Sequence, residues 1–394
     1  MRKVLLLSIL LMAGLALSQV LPAWGGESFY PFHTAVNLLT MFCLSFIMIH
    51  VGYEFELDRT RLQDYVVDFG VAATAAGLPW LFCSFYFVLV MGPPGAWGDL
   101  QAWKESLLVG RFAAPTSAGI LFSMLAAAGL SATWLFRKTR VLAIFDDLDT
   151  VLLLIPLKML LVGVRWQLGV IIVIMALLVW AAWKYLHQIP LPHTWPWVFA
   201  YSGAIVALSE LIYHGSLKID DVMGVHIEVL LPAFVMGCML ARPGGVDPHA
   251  DDAREGHQEG PTSPNEQRVA FLVSSLFMVL VGLSLPPLSG MVGSAGWGMI
   301  LAHVLVITVL SNAGKMFPLF CYRREASLRE RLALCIGMWP RGEVGAGVLI
   351  VSLGYGISGA SVAVATLSLA LNLVATGFFI AAVKKLLQTP ARPS

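Results

Sequence analysis

The sequence predicts an all-α polytopic membrane protein of about twelve transmembrane helices, built as inverted repeats whose fourth and eleventh spans are unwound where they cross. Three observations carry this reading. Hydrophobic residues fill 58% of the 394 positions and charged residues only 12%, where soluble chains hold about 25% charge. Apolar windows of about 20 residues, the length that crosses about 30 Å of hydrocarbon, recur along the whole chain. Prolines and glycines interrupt two of those windows, near others that carry charges, where hydrocarbon would tolerate neither.

The same composition excludes a soluble enzyme and a disordered chain. A net charge of +1 argues against a nucleic-acid partner, which needs a basic surface. The five cysteines, Cys43, Cys83, Cys238, Cys321 and Cys335, lie scattered in apolar runs without CxxC spacing and read as small hydrophobes. No cofactor is expected.

The spans fall at 4–22, 34–54, 66–91, 104–128, 140–162, 166–187, 195–213, 222–241, 269–287, 297–321, 331–354 and 360–383. The first follows Arg2-Lys3 and carries the small-residue stretch Ala16-Leu17-Ser18, which also suits a cleavable signal peptide; we read it as a retained span. With the N-terminus inside, only Lys104, Arg165 and Lys218 fall in outside loops. Arg111, Lys158, Lys315 and Arg341 lie within spans, and every other lysine and arginine is cytoplasmic. That bias supports both termini being cytoplasmic. Residues 242–268 are rich in Pro, Gly and acidic side chains. They read as a solvated cytoplasmic linker between an N-terminal half, 1–241 with spans one to eight, and a C-terminal half, 269–394 with spans nine to twelve. His249 and His257 in it are pH-sensing candidates of lesser weight.

Asp146, Asp147 and Asp149 sit in the fifth span, Lys315 deep in the tenth, and Arg341 and Glu343 in the eleventh. Six such groups facing lipid would cost roughly 15–20 kcal/mol, more than the stability of about 5–15 kcal/mol typical of a fold. They are therefore expected to face one another or a water-filled cavity. Their excess of negative charge outlines a cation or proton site. Asp146 and Asp149 share a helix face, whereas Asp146 and Asp147 point about 100° apart. Glu210, Glu228 and Lys158 are isolated and fit a structural role, and Arg111 is ambiguous.

The fourth span carries Ala114-Pro115-Thr116-Ser117-Ala118-Gly119 near its middle, and the eleventh carries Pro340-Arg341-Gly342 with Gly345 and Gly347. Each interrupted span is the centre of a three-span group, spans 3–5 and 10–12. That placement is expected of an inverted repeat with its ion site at the crossing and a core exchange bundle made of those six spans.

These residues resemble the monovalent cation:proton antiporter superfamily, the sodium/proton exchangers and in particular cation:proton antiporter-2-like members. Val51-Gly52-Tyr53-Glu54-Phe55-Glu56-Leu57-Asp58 is similar to the "GLELD" end of an early span. Ala114 to Leu121 resembles the unwound fourth span. Asp146-Asp147 resembles the paired aspartates of electrogenic members, and Leu280-Val281-Gly282-Leu283-Ser284 the "VGLSI" stretch. Gly314-Lys315 and Pro340-Arg341-Gly342-Glu343-Val344 are similar to the family's Gly-Lys and "RGE" elements. The resemblance implies that Asp147 is the principal cation ligand and proton carrier, that Asp146 pairs with Lys315 when the cation is absent, and that Thr116 contributes at the crossing. Ser117, where some relatives carry an aspartate, and Asp149, outside the general pattern, bear on selectivity; Arg341 and Glu343 support the site. It further implies electrogenic exchange of a monovalent cation, Na⁺ first, for protons by alternating access, with the cation held by Asp147 and Asp146. A homodimer in the inner membrane of a bacterium is also implied.

Alternatives are a K⁺:H⁺ antiporter, a transporter-derived cation or pH sensor, and a cation channel. The channel rests on Gly354-Tyr355-Gly356, but Ser352-Leu353 precedes it where a filter needs Thr-Val. The absence of GxxxxGK[ST] disfavours a primary pump, and that of HExxH and GxSxG a membrane enzyme.

Overall fold

The computed structural model describes residues 2–25, 29–53, 55, 62–163, 166–219, 225, 227, 229–241, 264–285, 297–354, 357 and 359–388. Residues 242–263 with His249 and His257, Glu228, and the Tyr355-Gly356 pair lie outside the described residues, as do the side chains of Asp147, Lys158 and Glu343. The chain forms α1 (Arg2–Gly25), α2 (Phe29–Tyr53), α3 (Leu62–Tyr86, extended by a wider turn over Phe87–Met91), α4 (Leu100–Gly110), α5 (Ala118–Ala127), α6 (Trp134–Val162), α7 (Trp166–Lys184) and α8 (Trp195–Leu217). It continues with α9 (Leu230–Met239), α10 (Pro264–Leu283), α11 (Trp297–Gly314), α12 (Pro318–Cys321), α13 (Leu328–Gly337), α14 (Glu343–Gly354) and α15 (Ala360–Gln388). Among the described residues there is no strand; one isolated bridge pairs Ile189 with Leu240.

Among the described residues, nine helical stretches are long and apolar enough to cross a membrane. Three of the twelve expected spans fall outside that set, each for a physical reason. The fifth span is the 29-residue α6, whose length suffices but whose charges, from Arg137 to Lys158, are too many. The eighth is helical only over Leu230–Met239 among the described residues. The eleventh is split into α13 and α14 by a break at 338–342. Boundaries also move where capping chemistry is strong. The Thr133 hydroxyl accepts from the Phe136 amide at 3.2 Å and starts α6 six residues before 140. Pro264, suited to a first helical turn, opens α10 before 269.

The chain divides into two compact units. The first comprises residues 1–37, 59–163 and 278–394, so it holds α1, α3–α6 and α11–α15. Within it α3 lies against α6 and α11, and α15 lies against α1, α11 and α13. An 18-residue window across α4 and α5 is 94% buried, which makes it an interior element, whereas such windows in α7 and α8 are each only 22% buried and present apolar faces suited to lipid. The second unit comprises residues 38–58 and 164–277. There Phe42 and Phe46 of α2 stack on Phe199 of α8 at 5.5 and 4.9 Å.

α2 and α9 cross backbone to backbone in the second unit, because Gly52 and Gly237 face each other. A Cβ on Gly237 would stand 2.1 Å from the Ile49 carbonyl oxygen, and one on Gly52 at 2.1 Å from that of Phe234. Gly237→Ala should therefore destabilise the protein by about 1–3 kcal/mol. Gly203→Ala in α8, where the nearest atom is 3.8 Å away, should be neutral or slightly stabilising. Thermal unfolding of both variants in detergent checks this; equal unfolding temperatures would mean that the crossing has room for a methyl group.

Candidate functional site

Two broken helices build the site. After α4 the chain makes one tight turn over Arg111–Ala113, loses helical structure at 114–117 and resumes as α5. Pro115 has no N–H to continue the helix. Ser117 then caps α5, its hydroxyl accepting from the Ile120 amide at 3.4 Å. The second break, 338–342, contains Pro340 and Gly342. The two non-helical segments lie side by side. The Ser117 amide donates to the Pro340 carbonyl at 3.0 Å, and the Thr116 hydroxyl to the Met338 carbonyl at 3.2 Å.

Asp146 reaches this junction from α6. The Thr116 amide, freed by the break, donates to its Oδ2 at 2.8 Å. Lys315, just past the end of α11, sets its ammonium 2.9 Å from Oδ1 and 2.8 Å from Oδ2. Both side chains are 0% exposed. Gly314 makes the approach possible: its Cα side rests on the backbone of α3 at Pro79, where a Cβ would stand 2.5 Å from the Pro79 nitrogen. The carboxylate thus accepts three charge-assisted or amide hydrogen bonds, the condition under which a buried ion pair is tolerated.

Asp149 follows one turn later on the same face and is 3% exposed. Its Oδ2 is buried and meets no hydrogen-bond donor among the described residues. Asp147 lies between them on α6, and Glu343 opens α14. Among the described residues, no three His, Cys, Asp or Glu side chains gather into a metal-binding group.

Arg341 is 0% exposed and turns its guanidinium to the carbonyl oxygens of both broken helices. Its Nε donates to the Ala113 carbonyl at 3.1 Å, Nη1 to the Asn312 amide oxygen at 2.7 Å and to the Trp339 carbonyl at 3.2 Å, and Nη2 to the Ser311 carbonyl at 2.8 Å. The cause is the pair of breaks. They free carbonyls that water cannot reach, and a planar guanidinium with five donors satisfies several at once. Of the isolated charges, Glu210 sits 3.4 Å from His214 one turn on, and Arg111 is buried at the first break.

A second buried cluster was not singled out from the sequence. Asp68 of α3 accepts from Lys138 of α6 at 2.8 Å and from the Tyr322 hydroxyl at 2.7 Å. Lys138 also meets Glu325 at 3.1 Å and lies 4.2 Å over the Tyr322 ring. Burial, then the adjoining Asp68 carboxylate, pushes the Tyr322 phenol far above its ordinary range, so it remains a donor. Asp68 near the start of an apolar window was the available signal. A fifth span beginning at 140 puts Lys138 in a loop, whereas α6 begins at Trp134 and carries Lys138 on the helix.

Because the Asp146–Lys315 pair is wholly desolvated, Lys315→Met should lower stability by about 3–5 kcal/mol, and the double variant Lys315→Met with Asp146→Asn should recover most of it. Unfolding of the four proteins in detergent measures the coupling; additive losses would show that the pair contributes no interaction.

Comparison with known proteins bears on this arrangement. Comparison with curated protein sequences gives no match. Among solved structures, the fold is similar to that of the sodium proton antiporter MjNhaP1 from Methanocaldococcus jannaschii. One structure of it, determined at pH 8, shares 13% identity and a TM-score of 0.51 over 94% of this chain and 92% of that one. An electron-microscopy structure of the same antiporter shares 14% identity and a TM-score of 0.58 over 98% and 92%. At such identities the likeness is one of fold. The sequence itself matches the family described as "Sodium/hydrogen exchanger, transmembrane" over residues 3–383, nearly its whole length. An apolar, helical chain with this match is a transporter rather than an enzyme, and it belongs to the sodium/hydrogen exchanger family.

Proposed function

We propose that this chain exchanges a monovalent cation, Na⁺ first, for protons across the membrane by alternating access, and that the exchange is electrogenic. The observation that carries the reading is the fully buried Lys315–Asp146 pair at the junction of two broken helices. An ammonium held on a carboxylate is a tethered cation in the place where a mobile one would bind. In this reading Asp147 is the principal cation ligand and proton carrier. When Na⁺ enters, Asp147 gives up its proton and Asp146 turns from Lys315 to the ion. Lys315, left without its counter-ion, releases a second proton. Two protons then move against one cation. Thr116 contributes oxygen at the crossing, and Ser117, Asp149, Arg341 and Glu343 support the site.

The same proposal takes the breaks at 114–117 and 338–342 as the unwound crossings of an inverted repeat within twelve spans. The exchange bundle is α3–α6 with α11–α15, all within the first unit. Half-helix ends there present dipoles and free backbone groups to the ion. Competition of cation and proton for the same oxygens, with exposure to one side at a time, is sufficient for coupled exchange. Both termini are cytoplasmic, the membrane is a bacterial inner membrane, and the protein works as a homodimer.

Proton flux in inside-out vesicles from an antiporter-deficient bacterium tests the reading. Adding Na⁺, Li⁺ or K⁺ to a preformed pH gradient should collapse it for at least one cation, with Na⁺ the expected one, and Asp147→Asn should abolish the response. Silence to all three would overturn exchange and favour a sensor. In the same vesicles with the membrane potential clamped, Lys315→Gln should leave exchange that no longer responds to voltage. An unchanged voltage dependence would remove Lys315 from the proton count.

A further inference from the structure

One face of α15 carries buried polar side chains that the site described above does not use. Ser368, Asn372 and Thr376 follow one another at four-residue spacing, so they share a face, and each is 0% exposed. Ser368 fixes where that face points, because its hydroxyl lies 2.8 Å from that of Thr308 on α11. Phe379, seven residues past Asn372 and so on the same face, meets the Trp339 ring of the second break edge-on at 5.2 Å. Between these two contacts the face looks into the space bounded by α11 and the break at 338–342.

The orientation of the Asn372 amide is settled by its partner. Its nitrogen donates to the Ser368 carbonyl at 3.1 Å, which an amide oxygen could not do. The amide oxygen is then the remaining atom, and among the described residues that buried oxygen meets no donor. Trp339 carries the opposite deficit: its indole N–H is buried and meets no acceptor among the described residues. An acceptor and a donor thus border one space without pairing to each other. Thr376 lies between their levels on α15. Its hydroxyl donates to the Asn372 main-chain carbonyl at 2.8 Å and keeps lone pairs with which to accept.

Burying a polar group without a partner is costly, and two such groups of opposite kind call for a ligand that both donates and accepts. We propose that Asn372, Thr376 and Trp339 bind an ordered water molecule. It accepts from Trp339 Nε1 and donates to Asn372 Oδ1 and Thr376 Oγ1. Three hydrogen bonds to otherwise unsatisfied groups are what a buried water ordinarily makes. A metal cation does not suit the place, since the indole presents a donor to it. The water ties α15 to the second break, the segment that carries Arg341 and lends the Met338 carbonyl to Thr116. It acts on the backbone of the crossing and touches no transported ion, so the inference stands apart from the exchange reading.

Two measurements on the full chain test it. A structure in lipid nanodiscs, at a resolution that shows ordered water, should contain density within hydrogen-bond reach of both Asn372 Oδ1 and Trp339 Nε1. A dry site, or direct pairing of the two side chains, would overturn the proposal. The second measurement is a double-substitution cycle by thermal unfolding in detergent. Asn372→Leu and Trp339→Phe each remove one partner of the water, so each alone should lower the unfolding midpoint by a few degrees. Together they should lower it by clearly less than the sum, because the second substitution finds the water already lost. Additive shifts would overturn the bridge. So would a rise on Asn372→Leu alone, the result expected where an apolar side chain replaces an oxygen that has no partner. Should a variant fail to fold, the wild-type structure decides.

Discussion

Hydrocarbon offers no hydrogen bonds, so a chain that interrupts two helices in its interior must supply partners for the carbonyls and amides it frees. Much of the first unit follows from that demand. The two non-helical segments answer part of it by lying side by side, Ser117 on Pro340 and Thr116 on Met338. Arg341 answers another part, one guanidinium closing carbonyls from both breaks and from the last turn of α11. Asp146 takes the Thr116 amide. A neutral side chain in place of Arg341 would leave several buried acceptors at once, each costing roughly 1–3 kcal/mol. A cation there has a backbone reason before it has a catalytic one.

The acids of α6 are unequally engaged. Asp146 is held by an ammonium and an amide, while Asp149, a turn away and also buried, keeps an oxygen without a donor among the described residues. A buried ion pair seldom stabilises a fold better than apolar residues of the same shape. Keeping one at the meeting point of two broken helices is therefore a feature that stability does not ask for, and it suits a family whose members exchange cations for protons.

The polar groups near the helix ends behave differently. Asp68, Lys138, Tyr322 and Glu325 satisfy one another across α3, α6 and the turn after α12. That closure is what a fastening looks like: each donor has an acceptor and none is spare. In the second unit the His187 ring, after α7, lies 3.0 Å from the carbonyl oxygens of both Leu240 and Phe55. Side chains on loops can take such positions because their backbone groups are not already committed to a helix.

Much was legible before any coordinates. The apolar excess and the window length determined a helical membrane protein. Pro115 and Pro340 marked the breaks, since proline cannot continue a helix wherever the chain places it. The charges at Asp146, Asp149, Lys315 and Arg341 stood out, because burial of a charge is costly in any fold. These are local properties of composition and covalent geometry. What only the tertiary structure decided was who meets whom: that Arg341 reaches the Ala113, Trp339 and Ser311 carbonyls, that Lys138 is helical and reaches Asp68, and that His187 lies between the Phe55 and Leu240 carbonyls. Most of these partners lie tens to hundreds of positions apart. Periodicity says which face of a helix is buried, but the register at which two faces meet depends on close approaches such as Gly314 on Pro79, which no single segment encodes.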